Sequence, residues 1–466
     1  MASTTAATDL PYKMHVTPDN TGLWHIKQTE DAAKTASQLL QEDMEKHHVF
    51  FNRDGFHNHI PHHLLALYGT GAGPSHLQAA YAANADYQRP VLPAHTHPAR
   101  SLQPFPEAAR PYFGNEAYYP DFLRFFQRET KALGSWQAVV ARYVFGLDLG
   151  DPGKAAGGEA AGDELLVRLF AGFLHPLIQL MYGVEWGQEA IVAEGLAQAA
   201  VHSGEIGGFL LRAEEMARER ETEGEENGGG EGVLELLEAV RRDEKVARAA
   251  RHGDANKVRD GVLARAADEM VALAARVHVR PDEVEQKTAE MFNAAVYVAA
   301  AAALAKEGKQ PKFDFFLMHH VNSSPIFVTL NAQDWIPAET KARLLEWKIR
   351  MDLLQYAARG VPELSVEKLK DYQPKKPEAG GSLAEIIARL HTFPDDGHAI
   401  KLGRAAVVCH NICKKYEDTG SKWLKLRGDD MWKNVCHLIV DSVEAPGDHW
   451  VRSVGFDEAW KNIPNI

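Results

Sequence analysis

The sequence predicts an all-α protein, one large single helical domain over residues 1–466 with a buried pocket between its helices. Three observations carry this. Apolar residues recur at helical spacing over most of the chain, and alternating strand patterns of any length are hard to find. Of the 466 residues, 45% are hydrophobic, which is ample for a core.

In chain order, residues 1–19 read as an N-terminal tail. Met1 to Asp9 is small and hydroxylic, with neither a basic end nor an apolar stretch, so no signal peptide is visible. The periodicity then predicts helices over Glu30–His48, Asp121–Phe145, Asp163–Tyr182, Val233–Arg251, Asp254–Val277, Asp282–Lys306 and Glu339–Ala358. Two stretches read as loops: Gly150–Gly162, rich in glycine and alanine, and the acidic, glycine-rich insertion at residues 221–232, expected to be flexible. Helical patterns continue on both sides of each, so neither reads as a domain linker.

A formal charge of −13 argues against nucleic-acid partners and anionic membrane surfaces, both of which reward basic patches. Three cysteines make neither a disulfide framework nor a zinc ribbon. The alanine-rich run Ala294–Leu304 is too short to span a bilayer. The expectation is a soluble cytoplasmic protein without membrane contact. Gly69 to Pro74 breaks the dinucleotide fingerprint at its last position, and Gly153-Lys154 lacks the rest of a phosphate loop.

Histidines, 22 in all, are the informative residues. His57, His59, His62 and His63 fall within seven positions, with Pro61 suited to a first helical turn. Neighbouring histidines cannot all face one centre, so one or two fit a ligand role and the rest fit supporting or solvated positions. His175 stands alone in an apolar helix, followed by Pro176, a residue that commonly kinks such a helix. His319 and His320 end an aromatic run that includes Phe315 and Phe316. Asp395-Asp396-Gly397 reads as a helix start, after which His398, Lys401, Leu402, Ala405, Val408 and Cys409 share one face. Lys401 is therefore turned inward. Either its head snorkels to water, or burial favours the neutral amine, which can add carbon dioxide to become a carbamate and hence a metal ligand.

Together these motifs resemble the questin oxidase family: His59 ahead of Leu64 to Tyr68, His175, His319 before Val321-Asn322, Asp395 to Lys401, and the tail with Trp450, Gly455-Phe456-Asp457 and Trp460. The similarity runs from about Asn20 to the C-terminus. The resemblance implies a fungal oxygenase that oxygenates and opens an anthraquinone-type ring, by Baeyer–Villiger oxidation or by dioxygenase-like cleavage, in aromatic polyketide biosynthesis. It implies a non-heme Fe(2+) held by His59, His175, His319, His398 and carbamylated Lys401, with Lys401, His62 and His320 as catalytic groups. Imidazole and carboxylate ligands suit iron. The partners implied are a polycyclic aromatic substrate and O2, with NADPH as an external reductant; the oligomeric state is left open. The substrate would stack near Phe315, Phe316 and Tyr68. The alternatives are a cofactor-free or NADPH-dependent monooxygenase, a zinc hydrolase on the same histidines, or a non-catalytic protein that binds aromatic metabolites.

Overall fold

The computed structural model describes residues 11–95, 102–149, 159–222, 231–378 and 381–466. Helix makes up 63% of it and no strand occurs among the described residues, as the periodicity predicts. Isolated bridges such as His47 with Pro90 are the nearest approach to a sheet. No single helix among the described residues is long and apolar enough to cross a membrane. The chain forms two compact units: Met1–Ile206 with His391–Lys401, and Gly207–Leu390 with Leu402–Ile466.

The first unit contains α1 (Glu30–Lys46), α2 (Ile60–Gly69), α3 (Pro74–Ala85), α4 (Tyr119–Leu133), α5 (Trp136–Val144), α6 (Glu159–Leu169), α7 (His175–Glu185) and α8 (Glu189–Ala200). Thr29 caps α1 by accepting from Ala32 N. Residues 11–19, read as a tail, are anchored on α1: Met14 and Val16 are buried, and their N–H groups donate to Gln41 Oε1 and Ser37 Oγ. The single helix expected over Asp121–Phe145 is two. Gly134, at φ 82°, ends α4 and Ser135 caps α5.

The helix expected over Asp163–Tyr182 also breaks. Gly172, Phe173 and Leu174 have φ values of 53°, 55° and 67°, a left-handed turn that separates α6 from α7. His175 opens α7, and Pro176 sits in its first turn, where a missing N–H costs nothing. The proline therefore starts a helix instead of kinking one. Helix α7 packs against α8 with backbones close together. A Cβ on Gly183 would lie 2.6 Å from Val192 N, and one on Gly195 would lie 2.7 Å from Leu180 N. Two glycines in helix interiors are tolerated here because the close approach requires them.

In the second unit, α9 is Gly207–Thr222, α10 Val233–Arg242, α11 Val284–Ala303, α12 Phe315–Asn322, α13 Ala338–Ala358, α14 His398–Cys413 and α15 Gly428–Glu444. The first turn of α14 belongs to the first unit. The helix expected over Val233–Arg251 restarts at Asp243, whose carboxylate accepts from Lys245 N and Val246 N. The one expected over Asp254–Val277 contains a π-helical turn at Lys257–Val262. Helix α11 is buried along nearly its whole length and packs on α12 and α13, so the Ala294–Leu304 run is core. Of the two expected loops, residues 150–158 and 223–230 lie outside the described residues.

The α7–α8 contact generates a test. Gly195→Ala should lower stability by about 1–3 kcal/mol through overpacking. Gly208→Ala, where a Cβ meets nothing within 4 Å, should raise it by about 0.5–1 kcal/mol. Urea unfolding of both variants at one pH measures the contrast.

Candidate metal centre

Three buried histidines of the first unit, His59, His175 and His398, each offer a ligand atom within 4.8 Å of the others. Each arrives by a different local device. His59 stands at the N-cap position of α2. Its neighbour Asn58 accepts from Ile60 N and donates to both carboxylate oxygens of buried Asp43, at 2.9 and 3.0 Å. That ties the entrance of α2 to α1. His175 follows the left-handed turn, and its Nδ1 donates to Gly172 O at 2.7 Å. His398 starts α14, where Asp395 caps the helix by accepting from Gly397 N and Ala399 N, both at 2.8 Å. Gly397 has φ 89°, and a Cβ there would lie 2.5 Å from the His63 ring.

One carboxylate organises two of the rings. Asp396 Oδ2 accepts from His59 Nδ1 at 2.8 Å, and Asp396 Oδ1 accepts from His398 Nδ1. Burial alone would raise the Asp396 pKa, but the two imidazoles outweigh it and hold this acid well below the usual carboxylate range. With Nδ1 protonated toward an acceptor, the neutral ring carries its lone pair on Nε2. That holds for His59, His175 and His398 alike. The Nε2 atoms of His59 and His175 lie 2.9 Å apart in nearly coplanar rings, at 6°. Two lone pairs at that distance repel unless a cation or a proton lies between them. Burial, with Lys401 adding to it, pushes the His59 pKa down to about 3, which disfavours the proton. The donor set thus fits a metal ion, with Asp396 as the carboxylate that orients the ligands.

Lys401 is buried one helical turn beyond His398. Its Nζ lies 3.1 Å from His62 Nδ1, and His62 Nε2 is buried without a partner. Burial lowers the Lys401 pKa to about 8, against the opposing pull of Asp396 and Asp395. His62 is held well below 6.5, chiefly by burial and then by Lys401. His319 and His320 are on α12 of the second unit and outside the three-histidine group. His319 Nδ1 donates to Phe315 O at 2.5 Å. His320 Nδ1 donates to Asp352 at 2.5 Å, and Asp352 also accepts from buried Lys348. Phe315 and Phe316 carry the guanidinium groups of Arg452 and Arg359 over their rings. Tyr68, expected beside the substrate, is core: it is fully buried and its hydroxyl donates to Thr17 O.

Sequence reasoning missed the bridging role of Asp396 and a second histidine pair. His57 stacks on His175 with ring centroids 3.9 Å apart, and its Nε2 lies 2.8 Å from His202 Nε2. His202 Nδ1 donates to Gln198 O, so its Nε2 accepts from His57. The pair leaves no room for a side chain at Gly172, where a Cβ would fall 2.4 Å from His202 Nε2. Burial holds His202 at about 4, below its usual 6.5. Below pH 6.5 the unfolded chain takes up a proton here that the folded chain refuses until about pH 4. Stability from this group is therefore full above pH 6.5 and lost as pH falls toward 4, at about 1.4 kcal/mol per pH unit. Urea unfolding at pH 7 and pH 5 should show His202→Gln flattening the acid slope by one proton.

The questin oxidase-like family model matches residues 56–406, a span that contains all the first-unit site residues. A questin oxidase of Aspergillus fumigatus is 36% identical over 445 residues, covering 94% of this chain and 95% of its own. The Baeyer–Villiger oxidase ptaJ of Pestalotiopsis fici is 34% identical over 472 residues, all of both chains. The oxidoreductase AflY of Aspergillus parasiticus is 36% identical, covering 93% of this chain and 84% of its own. With a family match over most of its length and relatives of this identity and coverage, the chain belongs to the questin oxidase-like family of oxidoreductases.

Proposed function

We propose that this protein is an iron-dependent oxygenase that oxygenates and opens an anthraquinone-type ring. The relatives' names support the reaction class and the aromatic polyketide substrate. The observation that supports a metal is the facing pair of Nε2 lone pairs on His59 and His175, with His398 beside them. Those three rings would hold the ion. Bound iron would supply one-electron chemistry toward dioxygen.

The chain's own residues do the rest. Asp396 keeps His59 and His398 in the tautomer that presents Nε2, and Gly172 O does the same for His175. Lys401, its pKa lowered to about 8, has about one in ten of its amines neutral at pH 7, in reach of His62. Addition of carbon dioxide to Nζ forms the N–C bond of a carbamate and releases one proton. His62 Nδ1, 3.1 Å away, is placed to pass that proton on. A carbamate replaces a buried cation by an anion, which relieves its repulsion with a bound metal. If the substrate reacts as a hydroquinone, its quinone form is reduced first, and an NADPH-dependent partner is the expected source of that reduction.

A second reading rests on His320. Its Nδ1 donates to Asp352, which orients the ring as an acid orients a general base. That arrangement would suit metal-free, base-assisted oxygenation of a phenol.

Metal analysis with matched turnover assays separates the two. On the iron reading, protein purified with iron carries about one equivalent per chain. His59→Ala, His175→Ala and His398→Ala each lose iron and turnover, and Asp396→Asn binds it about 10–100-fold more weakly. Lys401→Arg should also lose iron, because a guanidinium keeps its charge and cannot be carbamylated. Full turnover after chelation, abolished by His320→Ala, would instead establish the base-assisted route.

A further inference from the structure

His57 and His202 are buried beside the three-histidine group without belonging to it. We propose that His57, braced by His202, is a positioning residue for His175: its stacked ring holds the His175 imidazole in the plane that turns Nε2 toward His59, and favours that ring once it shares its lone pair with a cation. The second half of this inference rests on the iron reading, and the first half does not.

The four rings form two layers. His57 and His202 are nearly coplanar, at 5°, with their Nε2 atoms 2.8 Å apart. His59 and His175 are nearly coplanar, at 6°, with their Nε2 atoms 2.9 Å apart. His57 lies on His175 with ring centroids 3.9 Å apart and planes 6° apart, so the layers stack. The bond from His175 Nδ1 to Gly172 O decides which nitrogen faces the centre. A hydrogen bond to a carbonyl tolerates a broad range of directions and holds a ring plane only loosely. The stack supplies that second constraint.

The outer layer is itself held firmly. Asn58 N donates to Val49 O and Phe51 N to Phe56 O, both at 2.8 Å, which brings His57 back over Phe50. The Phe50 ring packs edge-on against both histidines, with centroids 5.3 Å from His57 and 5.2 Å from His202. His202 follows α8, and its Nδ1 donates to Gln198 O at 2.7 Å, one turn back. Gly172 is fitted to the same layer: a Cβ there would lie 2.4 Å from His202 Nε2 and 3.1 Å from His57 Nε2. The carbonyl that sets the His175 tautomer and the ring that sets its plane therefore belong to one packing arrangement.

The face of an aromatic ring is its electron-rich part. His175 gives up electron density when Nε2 binds a cation, so the stack strengthens as the ion binds. By reciprocity the stack tightens the ion by the same factor.

Two measurements on the full chain test this. The first is ring-nitrogen NMR on histidine-labelled protein freed of metal by chelation, with the His175 signal identified by its loss in His175→Gln. The wild type should show the Nδ1–H tautomer alone. His57→Phe, which keeps a stacking face, should retain that signal. His57→Ala should broaden it or mix it with the other tautomer, and His57→Gln, which keeps a donor to His202 and leaves less of a cavity, should do the same. The second is equilibrium dialysis against Co2+. His57→Ala and His57→Gln should bind it about two- to tenfold more weakly than the wild type, and His57→Phe should recover most of the loss. A wild type that binds no Co2+ would remove the iron reading and the affinity half of the proposal, while the tautomer comparison would still decide the positioning half. A His175 signal unchanged in both His57→Ala and His57→Gln would overturn the positioning role, as would its loss in His57→Phe.

Discussion

The Asp396 carboxylate is the interaction on which the site depends. It joins His59 to His398 across 337 positions of sequence from His59 to Asp396 itself, so one acid fixes the mutual placement of α2 and the start of α14. An uncompensated carboxylate in that position would be pushed toward its neutral form by burial. Two imidazole N–H donors reverse the balance, and the same two bonds decide which ring nitrogen faces inward. Backbone geometry supports the arrangement. Asp395 caps the helix, and Gly397 takes a left-handed φ against the His63 ring, where a side chain has no space. The acid that joins the two rings and the acid that starts the helix are adjacent, so the capping geometry sets the position of the bridging carboxylate.

His175 reaches the same place at a cost in backbone strain. Phe173 and Leu174 both adopt positive φ, and each such residue without glycine's freedom costs about 1–2 kcal/mol. Burial of Leu174, its N–H bond to Ala171 O and the tight packing of α7 on α8 through Gly183 and Gly195 offset this, the packing giving α7 one position that the turn must reach. The turn then supplies the carbonyl of Gly172, which sets the tautomer of His175. Strain and the placement of His175 meet in three residues.

Much of the fold was legible because helical periodicity survives in a single sequence. The breaks were not. Across Gly134-Ser135 and Gly172–Leu174 the apolar spacing continues, so the pattern alone reads one helix where there are two. Pro176 was ambiguous for the same reason: a proline in an apolar run kinks a helix or starts one, and only the turn before it decides. In the site, His175 and His398 stood out as polar residues on apolar helix faces, and His59 as one of a histidine cluster singled out by its resemblance to a family motif. Asp396 did not, since a pair of acids before a helix is already explained by capping. The His57–His202 contact joins positions 145 apart and has no local signature at all.

Electrostatic reciprocity follows from this geometry. Burial keeps His59, His62 and His63 neutral near pH 7, so Asp396 carries a negative charge among neutral rings, and Lys401 lies close enough to feel it. In a medium of low effective dielectric, a cation among the three rings and a cation at Lys401 each disfavour the other. By linkage, whatever stabilises the neutral or anionic form of Lys401 tightens cation binding by the same free energy that the bound cation contributes to neutralising Lys401. Position 401 is thus coupled to the histidine centre without touching all of it, and the coupling requires only that the lysine be buried on the same helical turn as His398.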